Sequence, residues 1–168
     1  MSGAAAARQQ GRANSDTSQV PPDGAERKLA MDVLASATAR ELADAWESWN
    51  DRPDVAPLRG PETGLVMIRG RMGGGGAPFN FGEATVTRAT VSLSNGQVGH
   101  AYALGTDKDK VRHAAIFDAL WQDEGTRRAV EEHVVEPIRQ RLDAQDKQCR
   151  EETAATRVDF FTMVRGED

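Results

Sequence analysis

The chemistry-bearing residues of this chain gather around one glycine run. Arg71-Met72 precede four glycines, Gly73, Gly74, Gly75 and Gly76; Ala77-Pro78-Phe79-Asn80-Phe81-Gly82-Glu83 follow, and Arg88 lies on the Thr/Val-rich stretch after them. Four glycines in a row lose more backbone entropy on ordering than other tetrapeptides. They suit a backbone that takes positive φ or lets a ligand approach its amides. Backbone N–H groups reinforced by Arg71 and Arg88 can cradle a phosphate. Alternatively, neighbouring subunits grip the loop through Phe79 and Phe81, or the run is a plain flexible linker. No Gly-Lys-Ser/Thr follows, so this is no P-loop, and a strand rather than a helix follows, so it is no dinucleotide fingerprint.

Other chemistry is sparse. His100, His113 and His133 are too scattered for a metal motif. Asp109–His113 and His133–Glu136 have helical spacing, as many solvated helix faces do. Cys149, the single cysteine, lies in a polar stretch with no activating neighbour and excludes an intrachain disulfide. Glu83 is the best-placed carboxylate, though a solvated strand-edge glutamate is the plainer reading. No Gly-x-Ser-x-Gly nucleophile motif is present. The expectation is a chain with no catalytic residues, no metal and no cofactor of its own.

The elements that position the glycine run can be read from pattern. Residues 1–22 are Ala, Gln, Ser, Asn and Pro, a composition that predicts a disordered extension ahead of one domain over 23–168. Leu29, Val33 and Leu34 predict a helix over 25–35. Thr38 and Glu41 form a capping box for a second helix over 39–50, with Leu42, Ala45, Trp46 and Trp49 in its stripe. Trp46 and Trp49 are either core or an interface anchor pair. The proline-bearing stretch 52–61 reads as an extended connection or short edge strand, and 64–71 as a strand. Asn95-Gly96 predicts a two-residue hairpin turn between strands 83–94 and 97–105. That turn pairs Leu93 with Val98, Val91 with His100, Ala89 with Tyr102 and Thr87 with Leu104 on a helix-facing side. It leaves Arg88, Thr90 and Ser92 opposite Gly99, Ala101 and Ala103 on an open side. Thr106 then caps a helix over 107–122. From Thr126, Val130, Val134, Ile138 and Leu142 recur four apart, with a kink at Pro137. After a polar stretch, Val158 to Val164 turns apolar, and Phe160, Phe161 and Met163 are expected to pack on the sheet or dock on another subunit. The fold class is α+β: two N-terminal helices, a small mainly antiparallel sheet, two further helices and an apolar tail.

Composition bounds the function. Leu, Ile, Val and Phe make up 30 of 168 residues, under the ~20% typical of self-sufficient cores, which favours burial against partners. The net charge of −5 argues against a nucleic-acid binder driven by phosphate neutralisation. No run reaches 18 apolar residues, so no membrane span is expected, and no signal peptide is read. A cytoplasmic location is the default.

An ordered set of short segments carries a resemblance. Glu62-Thr63-Gly64-Leu65-Val66-Met67 leads into Arg71-Met72-Gly73-Gly74, and Phe79-Asn80-Phe81-Gly82-Glu83 into Thr87-Arg88-Ala89. Gly105-Thr106-Asp107-Lys108, Asp118-Ala119-Leu120 and Arg157-Val158-Asp159-Phe160-Phe161-Thr162-Met163-Val164-Arg165-Gly166 follow. Over residues 27 to 168 the chain resembles the PhnG subunit family of the bacterial carbon–phosphorus lyase system. The resemblance implies action with PhnH, PhnI, PhnJ and PhnK, in two copies within a larger complex. It implies a transferase step that joins an alkylphosphonate to C1 of the ribose of ATP, displacing the base to give a ribose 1-phosphonate 5-triphosphate. A radical iron–sulfur subunit breaks the carbon–phosphorus bond later. ATP is then a substrate of the complex, and this chain a structural or assembly subunit. The alternative is a free-standing nucleotide- or phosphate-binding module built on the glycine loop.

Overall fold

The computed structural model describes residues 24–71 and 76–156. Two helices come first, α1 (Gly24–Ser36) and α2 (Ala39–Ser48). The Thr38–Glu41 capping box forms as its spacing predicts: the Thr38 hydroxyl accepts the Glu41 N–H while the Glu41 carboxylate accepts the Thr38 N–H. Three antiparallel strands follow, β1 (Val55–Gly70), β2 (Phe79–Leu93) and β3 (Val98–Leu104), in spatial order β1-β2-β3. Helices α3 (Lys108–Gln122), α4 (Glu124–Val130) and α5 (Glu136–Ala155) complete the described chain. The expected α+β class and its element order hold. The expected extension over 1–22 and the apolar tail with Phe160, Phe161 and Met163 lie outside the described residues.

Helix α3 is the centre. Nine of its residues are buried, from Val111 to Trp121, and they cover its whole circumference. The sheet lies on one side, and α1, α2 and α4 pack on the others. Trp46 and Trp49 on and just past α2 stand edge-on to the buried Phe117, with ring centroids at 6.2 and 5.7 Å. Between α4 and α5, residues Glu131–Val135 form a π-helical turn. Pro137 lacks an N–H and crowds the carbonyl four residues back, and the wider turn sits next to it: the Glu136 N–H reaches Glu131 O, five residues away.

The sheet departs from the sequence reading in three places. First, the stretch over 52–61 and the strand over 64–71 are largely one strand. Its irregularities fall at Pro57/Arg59, Arg59/Glu62 and Ile68/Arg69, and it tolerates Pro57 and Pro61 because β1 is an edge strand.

Second, the hairpin closes with three residues, not two. The Leu93 N–H donates to Gln97 O and the Gly96 N–H to Leu93 O, each at 2.9 Å, with Gly96 at φ +88°. This loop-plus-bulge form shifts the register by one, pairing Ser92 with Val98, Val91 with Gly99 and Ala89 with Ala101. A slip of one residue turns every side chain of one strand over. Gly99, Ala101 and Ala103 therefore face the helices, while His100, Tyr102 and Leu104 face out. A Cβ on Gly99 would lie 1.9 Å from Ala115 O and 2.6 Å from Ala119 N. The small residues of β3 let α3 come close; they do not leave an open face.

Third, Asp107 rather than Thr106 caps α3, accepting the Lys110 N–H at 2.9 Å.

Candidate functional site

The residues around the glycine run do not converge. Gly73, Gly74 and Gly75 lie outside the described residues. Arg71, Gly76, Phe79, Asn80, Phe81 and Glu83 are all exposed at the far end of the β1–β2 ribbon. The Phe79 and Phe81 rings lie 6.4 Å apart, and Phe81 also covers Gly70, where an added Cβ would stand 3.3 Å from the ring.

Arg88 is elsewhere. It follows Phe79 by nine strand residues, about 30 Å at the usual rise, and pairs in register with Glu62. Its Nε donates to Glu62 Oε1 at 2.6 Å, and Arg59 Nε reaches the same oxygen at 2.6 Å. The Arg88 hydrogen bond, with the charges of Arg59 and Arg88, holds the Glu62 carboxyl below its ordinary range despite some desolvation. Arg71 and Arg88 thus sit at separate places on the ribbon, and Arg88 is already engaged.

Trp46 and Trp49 are half-buried against the core. Arg52 lies over the Trp46 ring at 5.4 Å, and His113 lies 6.4 Å from it. Burial, with some help from Arg112, lowers the His113 pKa, while Asp109, Asp107 and Glu47 oppose the shift. Its Nδ1 is buried without a hydrogen-bond partner. His100 is on the outer face, its Nδ1 3.1 Å from Thr90 Oγ1 as a directly opposed cross-strand pair. His133 and Cys149 are exposed. Among the described residues no three His, Cys, Asp or Glu side chains are placed to hold a metal. No described helix is long and apolar enough to cross a membrane.

The best-built polar cluster was not anticipated. Asp118 is 1% exposed on α3. Arg27 of α1 donates to it twice, Nε to Oδ1 at 3.0 Å and Nη2 to Oδ2 at 2.8 Å, and the His100 N–H of β3 donates to Oδ2 at 2.8 Å. The hydrogen bond to Asp118 raises the Arg27 pKa, against the desolvation that would lower it. Gln122 on the same helix donates to Val98 O at 2.8 Å. Together they satisfy β3 groups that no further described strand pairs, and tie α1, α3 and the sheet edge. A lone aspartate between apolar helix neighbours is the signal sequence reading could have used. This is a bracing device, since a carboxylate so fully paired has no free oxygen aimed at a ligand.

The described side chains build a braced body from which a long apolar ribbon projects. Residues 25–166 match the family described as phosphonate metabolism protein PhnG. The chain is 62% identical over 144 residues to the alpha-D-ribose 1-methylphosphonate 5-triphosphate synthase subunit PhnG of Rhizobium meliloti (strain 1021), covering 86% of this chain and 92% of that relative. A match of that extent, across both the braced body and the ribbon, is decisive: the chain belongs to the PhnG family of phosphonate metabolism proteins.

Proposed function

We propose that this chain is an assembly subunit of a cytoplasmic α-D-ribose 1-methylphosphonate 5-triphosphate synthase within carbon–phosphorus lyase metabolism. The observation that carries the reading is the 62% identity, extending over nearly the full length of both chains, to a subunit of that synthase. In this reading ATP and the phosphonate are substrates of the complex, and the chain brings no cofactor. It acts with PhnH, PhnI, PhnJ and PhnK subunits in two copies. The separation of Arg71 from Arg88, and the pairing of Arg88 with Glu62, support an assembly role over a stand-alone phosphate site.

The test has two arms. Deleting the chain's gene should abolish growth on methylphosphonate as sole phosphorus source, and the full-length chain should restore it. Tagged full-length chain should retain the other subunits on purification, while the isolated chain shows no ATP binding by calorimetry. A monomer that binds ATP tightly and retains no partner would replace this reading with the free-standing module.

A further inference from the structure

The β1–β2 ribbon is longer than the sheet it belongs to. β3 ends its pairing at Leu104 opposite Val86, and the Gly105 N–H makes a last bond to Thr85 O. Beyond that point, among the described residues, only β1 and β2 continue, from Val86 to Phe79, about 23 Å at the usual strand rise. Two-stranded ribbons are marginal in water on their own, and this one is apolar. Leu65 is 64% exposed, Met67 54%, Phe79 45% and Phe81 63%. Leu65 and Met67 alternate with Val66 and Ile68, so each face of the ribbon carries an apolar pair. An unbroken run of that kind is the pattern of a strand buried on both sides, whereas a ribbon lying on a surface needs only one apolar face.

Resting on the subunit reading above, we infer that this ribbon is an insertion arm. It enters an apolar-walled cleft of a different subunit, which covers both its faces and meets Arg69 and Arg71 with acidic groups. Area favours insertion over surface contact. From strand spacing and rise, one face projects roughly 230 Å², well short of the ~800 Å² per partner that a stable interface buries. Two faces, their side-chain relief and the free edge of β1 reach that scale.

Size points to a different subunit rather than a second copy. Among the described residues, the cavity of about 630 Å³ lined by Trp49, Asn50, Gly125 and His133 admits one or two side chains of a second copy's arm, not two strands. The described arm carries Arg69 and Arg71 against Glu83, which sets the acidic groups expected in the receiving cleft.

The test uses full-length chain co-expressed with the other synthase subunits and purified through a tag on one of them. Leu65→Asp with Met67→Asp charges one face, and Val66→Asp with Ile68→Asp the other. Each pair is expected to lower recovery of this chain in the complex at least ten-fold, with an unchanged melt of the free chain. Arg69→Glu with Arg71→Glu should lower it at least three-fold. Hydrogen exchange on the unmutated complex reads the same arm without substitution: amides of 64–71 and 79–85 should slow at least ten-fold on assembly. Wild-type recovery by either face pair, or unprotected arm amides in an intact complex, overturns insertion. A free chain that runs as a dimer, and becomes monomeric with the same variants, overturns the heterologous partner in favour of a second copy. If the unmutated chain retains no subunits, the subunit reading falls and the arm inference with it.

Discussion

The sheet is treated oppositely at its two ends, with β2 running through both. Near the hairpin turn, α3 lies on the sheet and the side chains beneath it are small: Gly99, Ala101 and Ala103 on β3, with Ala89 and Val91 on β2. At the other end, where no described helix lies over them, the strands carry Leu65, Met67, Phe79 and Phe81, each close to half exposed or more. The sheet thus carries its largest exposed apolar side chains where the described residues leave it bare. In the covered half, apolar area is set by how closely α3 must approach. In the bare half no such limit acts, and the large side chains have no described use within the chain. One half is built to hold the body together and the other to be buried by something else.

That contrast breaks if substitutions in the two halves act alike on the free chain. The largest effect is expected in the braced body. Phe117→Ala empties a fully buried site and should cost about 3–5 kcal/mol, whereas Phe81→Ala should stay within about 0.5 kcal/mol. Denaturant melts of the two variants decide it, and equal losses would mean the arm folds onto the body in solution. Arg27→Met leaves Asp118 buried without its cation and should also cost about 3–5 kcal/mol. Arg88→Met removes only an exposed pair with Glu62 and should leave the melting midpoint where it was. A smaller but cleaner contrast is Gly99→Ala against Gly64→Ala. The first drives a methyl into the α3 backbone and should cost about 1–3 kcal/mol. The second meets nothing within 4 Å and should be silent.

Much of this was legible in the sequence, and the exceptions share a cause. The Thr38–Glu41 capping box, the stripe of α2 and the strand character of 64–71 are local signals, and each appears as read. The hairpin was placed correctly from Asn95-Gly96, yet its register was off by one. Two- and three-residue closures share the same turn residues, and Asn95 is held in the longer form by its own contacts, Oδ1 to the Gln97 N–H and Nδ2 to Asp123. That single residue reversed the reading of β3, making helix-contact glycine and alanines look like an open face. The Arg27–Asp118 brace joins positions 91 apart in sequence, beyond the reach of any periodicity. Arg71 and Arg88 flank the glycine run in sequence, but the length of the β1–β2 ribbon separates them in space.

The smallest expected effect is one of pH, and it too divides the molecule. The described arm carries only Arg69, Arg71 and Glu83 as ionisable groups and holds no histidine. The covered half holds His113, whose pKa burial lowers below 6.5 even with Asp109, Asp107 and Glu47 opposing. As pH falls through 6.5 the unfolded chain takes up a proton that the folded chain still refuses, so stability falls. The loss runs from about pH 6.5 down to the folded-state value, and above that window the effect vanishes because both states are neutral. Since the imidazole is only half-buried, the slope should be a fraction of the ~1.4 kcal/mol per pH unit of full one-proton linkage. His113→Gln should flatten it. Glu41 cannot mimic the effect. Desolvation raises its pKa, but hydrogen bonds from Thr38 and Arg141 outweigh that and hold it below 4.5, so its contribution is lost only at lower pH. Urea melts of wild type and His113→Gln at pH 7.5, 6.5 and 5.5 separate the two. Parallel decline in both proteins across that range would remove His113 as the cause and place the pH sensitivity elsewhere in the body.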